Sequence, residues 1–135
     1  MIIDASGLIL GRMATLAAKK ALGGEEVVIV NSEKAVITGR KKDILLKHRL
    51  RTELGQPTQG PFFQKRPDLY VRRAIRGMVP RKKARGRDAF RKVRCFIGLP
   101  AEFSGKAETI EAADIRKSSA RNYITVRELC RLIAK

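Results

Sequence analysis

Few side chains in this 135-residue chain offer a nucleophile, a base or a metal ligand, and their placement argues against each role. His48 is the single histidine; it stands between Lys47 and Arg49 with no serine or cysteine partner indicated, so it reads as a surface helix residue in a basic neighbourhood. A structural zinc site takes about four ligands, which one histidine and two distant cysteines outside any CxxC pair cannot supply. Cys95 falls in an apolar strand pattern and Cys130 on an apolar helical stripe, so both read as packed thiols. Glu25, Glu26 and Glu33 flank an apolar run without catalytic spacing. "GLILGR" invites comparison with a phosphate loop. It matches neither GxGxxG nor GxxxxGK[ST], and a tight turn needs glycine anyway. The chain is assigned no catalytic residue, metal ligand or cofactor.

The chemistry that remains is charge. Thirty Lys and Arg stand against thirteen Asp and Glu, a formal net charge of +17. Such self-repulsion answers to a polyanionic partner. It is also localised: residues 1–38 hold four basic and four acidic groups, residues 39–94 hold 19 and 4, and residues 95–135 hold 7 and 5. The ends read as scaffold and the middle as the working surface. Arg40, Lys41, Lys42, Lys47, Arg49 and Arg51 form one basic group. Lys65, Arg66, Arg72, Arg73, Arg76, Arg81, Lys82, Lys83, Arg85, Arg87, Arg91, Lys92 and Arg94 form a second, with only Asp68 and Asp88 among them. Solvated charged faces interleave both signs; this one does not, so all nineteen are expected to contact nucleic acid. In the second group Arg outnumbers Lys nine to four, which favours forked phosphate contacts over point charges. Phe62 and Phe63, in a Pro/Gly loop beside Lys65 and Arg66, are either base-stacking platforms or anchors dipping into the core.

Elements must position these residues. The pattern predicts a strand at "MIID", a helix over Gly11–Leu22 closing on Gly23-Gly24, and a buried strand at "EEVVIVN". "KAVITG" gives a third strand. In the helix "RKKDILLKHRLRTEL", Leu46, Leu50 and Leu54 form the inward line. After the loop "GQPTQGPFFQKRP", a helix opens at Pro67 with Val71, Ala74, Ile75 and Met78 inward, and Pro80 ends it. A basic loop over 81–87 precedes a short helix "RDAFRKV", a strand "RCFIGLP", an extended polar segment and a final helix with Thr125 and Glu128 in capping-box spacing. The result is one α/β domain with helices packed on a mostly parallel sheet, its core over 1–103 and a C-terminal extension with a peripheral helix over 104–135. No apolar run approaches a membrane span, and the N-terminus does not read as a signal peptide, so an intracellular, reducing compartment is expected. No helix-turn-helix, zinc finger, heptad repeat or RRM-type aromatic motif is visible; a basic surface spread over helices and loops suits irregular folded RNA better than one duplex groove. A DNA-compacting chromatin-type protein has only charge in its favour, and a small nucleotide-binding enzyme only the glycine turn.

Three blocks, "DASGLILGRMA", "VVIVNSEKAVITGRK" and "IRGMVPRKKARGRDAFRKVRCFIG", resemble the large-subunit ribosomal protein L-thirteen family over about residues 1–103. The third block, from Ile75 to Gly98, is the most specific, and the loop "QGPFFQKRPD" and the C-terminal stretch look like the archaeal and eukaryotic branch. Cys95 stands where the family usually has a small aliphatic residue, and "NSEKA" replaces Asn-Ala-Glu-Lys-Ala; neither departure touches a charge. The resemblance implies a three-layer α/β/α fold with a parallel four-stranded sheet in the order 3-2-1-4. It also implies a cytoplasmic ribosomal constituent that binds large-subunit rRNA beside neighbouring large-subunit proteins, early in assembly, without catalysis, membrane contact or homo-oligomerisation.

Overall fold

The computed structural model describes residues 1–56 and 58–134; Pro57, in the loop expected before the third helix, and Lys135 lie outside the described residues. Strand β1 (Ile2–Asp4), helix α1 (Leu10–Leu22) and strand β2 (Val27–Val30) form a parallel crossover unit in which Ile2, Ile3 and Asp4 pair with Val28, Ile29 and Val30. Every residue of β2 is buried, as its unbroken apolar run requires of a strand with neighbours on all sides. Helix α1 presents Met13, Ala14, Ala17, Ala18 and Ala21 inward, and the four alanines let it lie close against its neighbours. It closes where Gly23 donates to the Lys19 carbonyl and Gly24 takes a left-handed φ of 98°.

The strand arrangement differs from the expected four in the order 3-2-1-4. The sheet has three parallel strands in the order β1-β2-β4, with β2 central and β4 (Val93–Cys95) pairing Val27↔Val93 through Ile29↔Cys95. The fourth place is closed off at both edges. Asp4 N–H donates to Glu108 O and Glu108 N–H to Ile2 O, which caps β1, while Asn31 and Ser32 donate to Gly98 O and Phe96 O and extend the β4 side. Strand β3 (Val36–Thr38) is turned away at Asn31, a non-glycine residue at φ 52°. The Asn31 amide donates to Asp4 Oδ1, which also accepts from the Ser6 amide and hydroxyl. Burial works to raise the Asp4 pKa, but these hydrogen bonds and nearby Lys34 outweigh it and hold the carboxyl below its usual range. Strand β3 instead pairs antiparallel with β5 (Tyr123–Thr125), from Val36↔Thr125 to Thr38↔Tyr123.

The remaining helices are α2 (Lys41–Glu53), α3 (Pro67–Met78), α4 (Ala84–Arg91) and α5 (Val126–Ala134). The main core gathers Ile3, Val27, Ile29 and Val93 with the inner faces of α1, α3 and α4. Helix α3 buries Val71 and Ile75, whereas Ala74 is half-buried and Met78 lies at the exposed end. A second cluster joins Ile44 of α2 to Ile124, Leu129 and Ile133 of the C-terminal strand and helix. Glu128 N–H donates to Thr125 Oγ1 at 3.3 Å, the capping contact the spacing predicted. The strand expected over 94–100 is shorter, and the helix expected over 87–93 begins earlier, at Ala84.

Helix α2 overturns the expected inward line. Leu46, Leu50 and Leu54 are 59, 54 and 63% exposed, and the buried face is Ile44 and His48 instead. His48, expected on the surface, is only 7% exposed. Its Nδ1 lies 2.7 Å from Ile44 O, which can only accept, so Nδ1 carries the proton and Nε2 accepts from the Tyr70 hydroxyl at 2.7 Å. Burial pushes the Tyr70 pKa up to about 12, in keeping with a hydroxyl that donates. Burial also depresses the His48 pKa, and Arg51 and Lys47 add to that against the pull of the Ile44 carbonyl. The folded chain therefore holds a neutral imidazole while the unfolded chain takes up a proton below the ordinary value of 6.5. The thermal midpoint should be flat from neutral pH down to that value and fall as pH drops further toward the lower folded pKa. With a single histidine in the chain, His48→Gln should abolish that fall, measured by thermal melts across the range.

Candidate nucleic-acid interface

The 81–87 segment, expected as a loop, is a turn followed by the start of α4. Pro80 makes a tight turn in which Lys83 N–H donates to Pro80 O at 3.0 Å, and α4 begins directly after it. Gly86, buried in the first turns of α4, lies against the Pro80 carbonyl so closely that a Cβ there would collide with backbone. On this braced corner Arg76, Arg81, Lys82, Lys83, Arg85 and Arg87 are all exposed, and none has an acidic partner among the described residues. The first turn of α4 has no acidic residue and no side-chain cap, so the helix's positive end adds to the field of these cations. Arg76, Arg81, Lys82 and Lys83 border a shallow cleft of about 480 Å³ floored by Val79 and Pro80.

Arg72 and Arg73 are held differently. Both are half-buried, with the Arg72 guanidinium 4.8 Å from the Phe90 ring centre and that of Arg73 4.7 Å from the Phe63 ring centre. Arg73 also donates to Phe62 O at 3.1 Å, so these two fasten the 60s loop and α4 to α3. With Arg76, Phe62 and Phe90 they line a cleft of about 390 Å³. The two phenylalanines are placed differently. Phe63 packs edge-on against His48 at 5.6 Å and beside Tyr70, an anchor, whereas Phe62 is 65% exposed.

The other cations are spread more widely. Arg66 pairs with Asp68 at 2.9 Å, Arg91 with Asp88 at 3.6 Å and Arg94 with Glu26 at 3.1 Å, while Lys92 donates to Gly24 O. Lys41 pairs with Glu128, and Lys65 is exposed. Arg40 and Lys42, at the start of α2, share a cleft of about 460 Å³ with Arg121 and Tyr123. The sequence did not place Arg121 beside the basic group: its segment is nearly neutral, and the β3–β5 pairing, continued by the hydrogen bond from Gly39 N–H to Asn122 O, carries it to that side. Lys47, Arg49 and Arg51 project from α2, and Arg51 borders a cleft with Phe62 and Arg73 that joins the two basic groups.

In the glycine turn the Gly7, Leu8 and Ile9 amides donate to Lys34 O, Ala5 O and Ala113 O, so these three donors are taken up by the backbone. Burial pushes the Cys95 thiol up to about 12 and the Cys130 thiol up to about 11, values of packed rather than nucleophilic sulfur. Among the described residues no helix is long and apolar enough to cross a membrane, and no three His, Cys, Asp or Glu side chains converge as for a metal.

A small α/β scaffold with one braced, uncompensated basic corner belongs to the class of proteins that lie against a polyanion. The family described as Ribosomal protein L13 matches residues 1–102. The chain is 47% identical over 130 residues to the large ribosomal subunit protein uL13 of Methanosarcina barkeri, covering 95% of this chain and 93% of that protein. It is 43% identical over 134 residues to that of Archaeoglobus fulgidus, with 98% and 86% covered. For that of Haloarcula marismortui the identity is 42% over 129 residues, with 96% and 87% covered. The chain belongs to the ribosomal protein L13 family and is of its archaeal type.

Proposed function

We propose that this chain is a structural constituent of the cytoplasmic large ribosomal subunit, binding folded large-subunit rRNA early in assembly beside neighbouring large-subunit proteins, without catalytic activity. Its close relatives carry the name large ribosomal subunit protein uL13. The observation that carries the reading is the corner between α3 and α4. Six cations there have no acidic partner among the described residues and sit on backbone braced by Gly86 against Pro80. Placed where RNA strands converge, such a corner neutralises phosphates that would otherwise repel one another, and its fixed backbone spares the ordering cost of a loose basic tail. Arg76, Arg81, Lys82, Lys83, Arg85 and Arg87 are the principal phosphate contacts. Phe62 stacks on an exposed base. Arg72 and Arg73 contribute by holding Phe62 and α4 in place. A compacting role on DNA rests on charge alone. The chain should remain with large subunits through a high-salt wash that strips adsorbed basic peptides, and release in that wash would count against this reading.

A further inference from the structure

The exposed leucines of α2 have no part in phosphate binding. Leu46 and Leu50 on the helix and Leu54 at its C-cap recur every fourth residue, so they form one ridge about 12 Å long. Single exposed leucines are ordinary, but a contiguous apolar ridge on a helix marks a surface that something covers. Helical spacing sets this ridge apart from Ile44 and His48, which are committed to the core, so the ridge cannot be buried by the chain's own fold. Lys47 and Arg51 border it on one side and Lys42 and Arg49 on the other, and none of the four has an acidic partner among the described residues. Asp43 and Glu53 sit only at the two ends of the helix, leaving its middle cationic.

From this pattern we infer that the outer face of α2 is a docking surface for a protein, an amphipathic helix with an apolar stripe bordered by Asp and Glu. RNA fits the ridge poorly, because phosphates laid over leucines lose hydration and gain no partner. An apolar stripe covers the leucines while its acidic borders meet Lys47, Arg49 and Arg51, the way grooves and ridges take amphipathic helices elsewhere. The inference rests on the ribosomal reading: the partner is a neighbouring protein of the large subunit, and α2 faces protein while the α3–α4 corner faces RNA.

The test places photoreactive benzoylphenylalanine at Leu50 of the full chain, expressed in cells, and maps the cross-link in purified large subunits. A cross-link to a protein segment whose apolar stripe is bordered by acidic residues is the expected result. A cross-link to RNA, to a second copy of the chain, to a basic segment, or none at all would overturn the inference while leaving the rRNA-binding reading intact. Absence of the chain from large subunits would overturn both. In parallel, the exposed double variant Leu46→Ser, Leu50→Ser should bind a large-subunit rRNA fragment within about twofold of the parent chain. A loss beyond about tenfold, with the melting midpoint unchanged, would show that the ridge faces RNA.

Discussion

Replacing Arg81, Lys82, Lys83, Arg85 and Arg87 together by glutamine is expected to weaken binding to a large-subunit rRNA fragment about a thousandfold. Each phosphate contact contributes roughly 0.7 to the slope of log affinity against log salt, or about fourfold at about 0.15 M salt, and five contacts compound to that figure. The slope itself should flatten by about 3 to 4, which distinguishes lost phosphate contacts from lost stacking or packing. The five side chains are exposed and have no acidic partner among the described residues, so the melting midpoint should hold or rise as self-repulsion falls. A salt titration by filter binding or anisotropy reads both quantities. A loss below about tenfold would mean that the corner is not the principal contact.

The second large effect is on stability. Gly86→Ala drives a Cβ into the Pro80 carbonyl, and backbone cannot yield as a flexible side chain can. Overpacking of this kind costs about 1–3 kcal/mol, which for a chain of this size lowers the melting midpoint by roughly 3–10 °C. The adjustment opens the turn on which Arg81, Lys82 and Lys83 are displayed, so rRNA affinity should fall as well, although no cation is removed. Gly77→Ala is the matched control. It lies in α3 with nothing within 4 Å of the new methyl group, and alanine favours helix. It should leave the midpoint unchanged or raise it by a few degrees. Equal destabilisation by the two substitutions would contradict the bracing role of Gly86.

Where one periodic face met one core, the sequence was readable. Helix α1, with its alanine-rich stripe and closing glycines, runs within a residue of its expected start, and the apolar run of β2 is the buried central strand. The terminal helix buries the expected Val126, Leu129, Cys130 and Ile133. Helix α2 was not readable because it carries two competing stripes. Which of them turns inward depends on Tyr70, 22 residues beyond His48, whose hydroxyl rewards burying the histidine rather than the leucines. The order of strands failed for the same reason of distance. Glu108 seals β1, and β5 claims β3, through pairings that no local pattern announces. The basic group over 39–94 was plain from charge alone, but its division of labour was not. That Arg72 and Arg73 clasp Phe90 and Phe63, that Lys41 is drawn to Glu128, and that Arg121 joins Arg40 are all consequences of tertiary placement.

An integral, RNA-bound part of the large subunit stays with that subunit when it sediments. Large subunits from cells expressing the tagged chain are washed at high salt, pelleted through sucrose and probed for the chain, with excess duplex DNA present as a competitor. One copy per large subunit, retained through the wash and indifferent to the DNA, is the predicted result. Release into the supernatant, or transfer to the DNA, would contradict it.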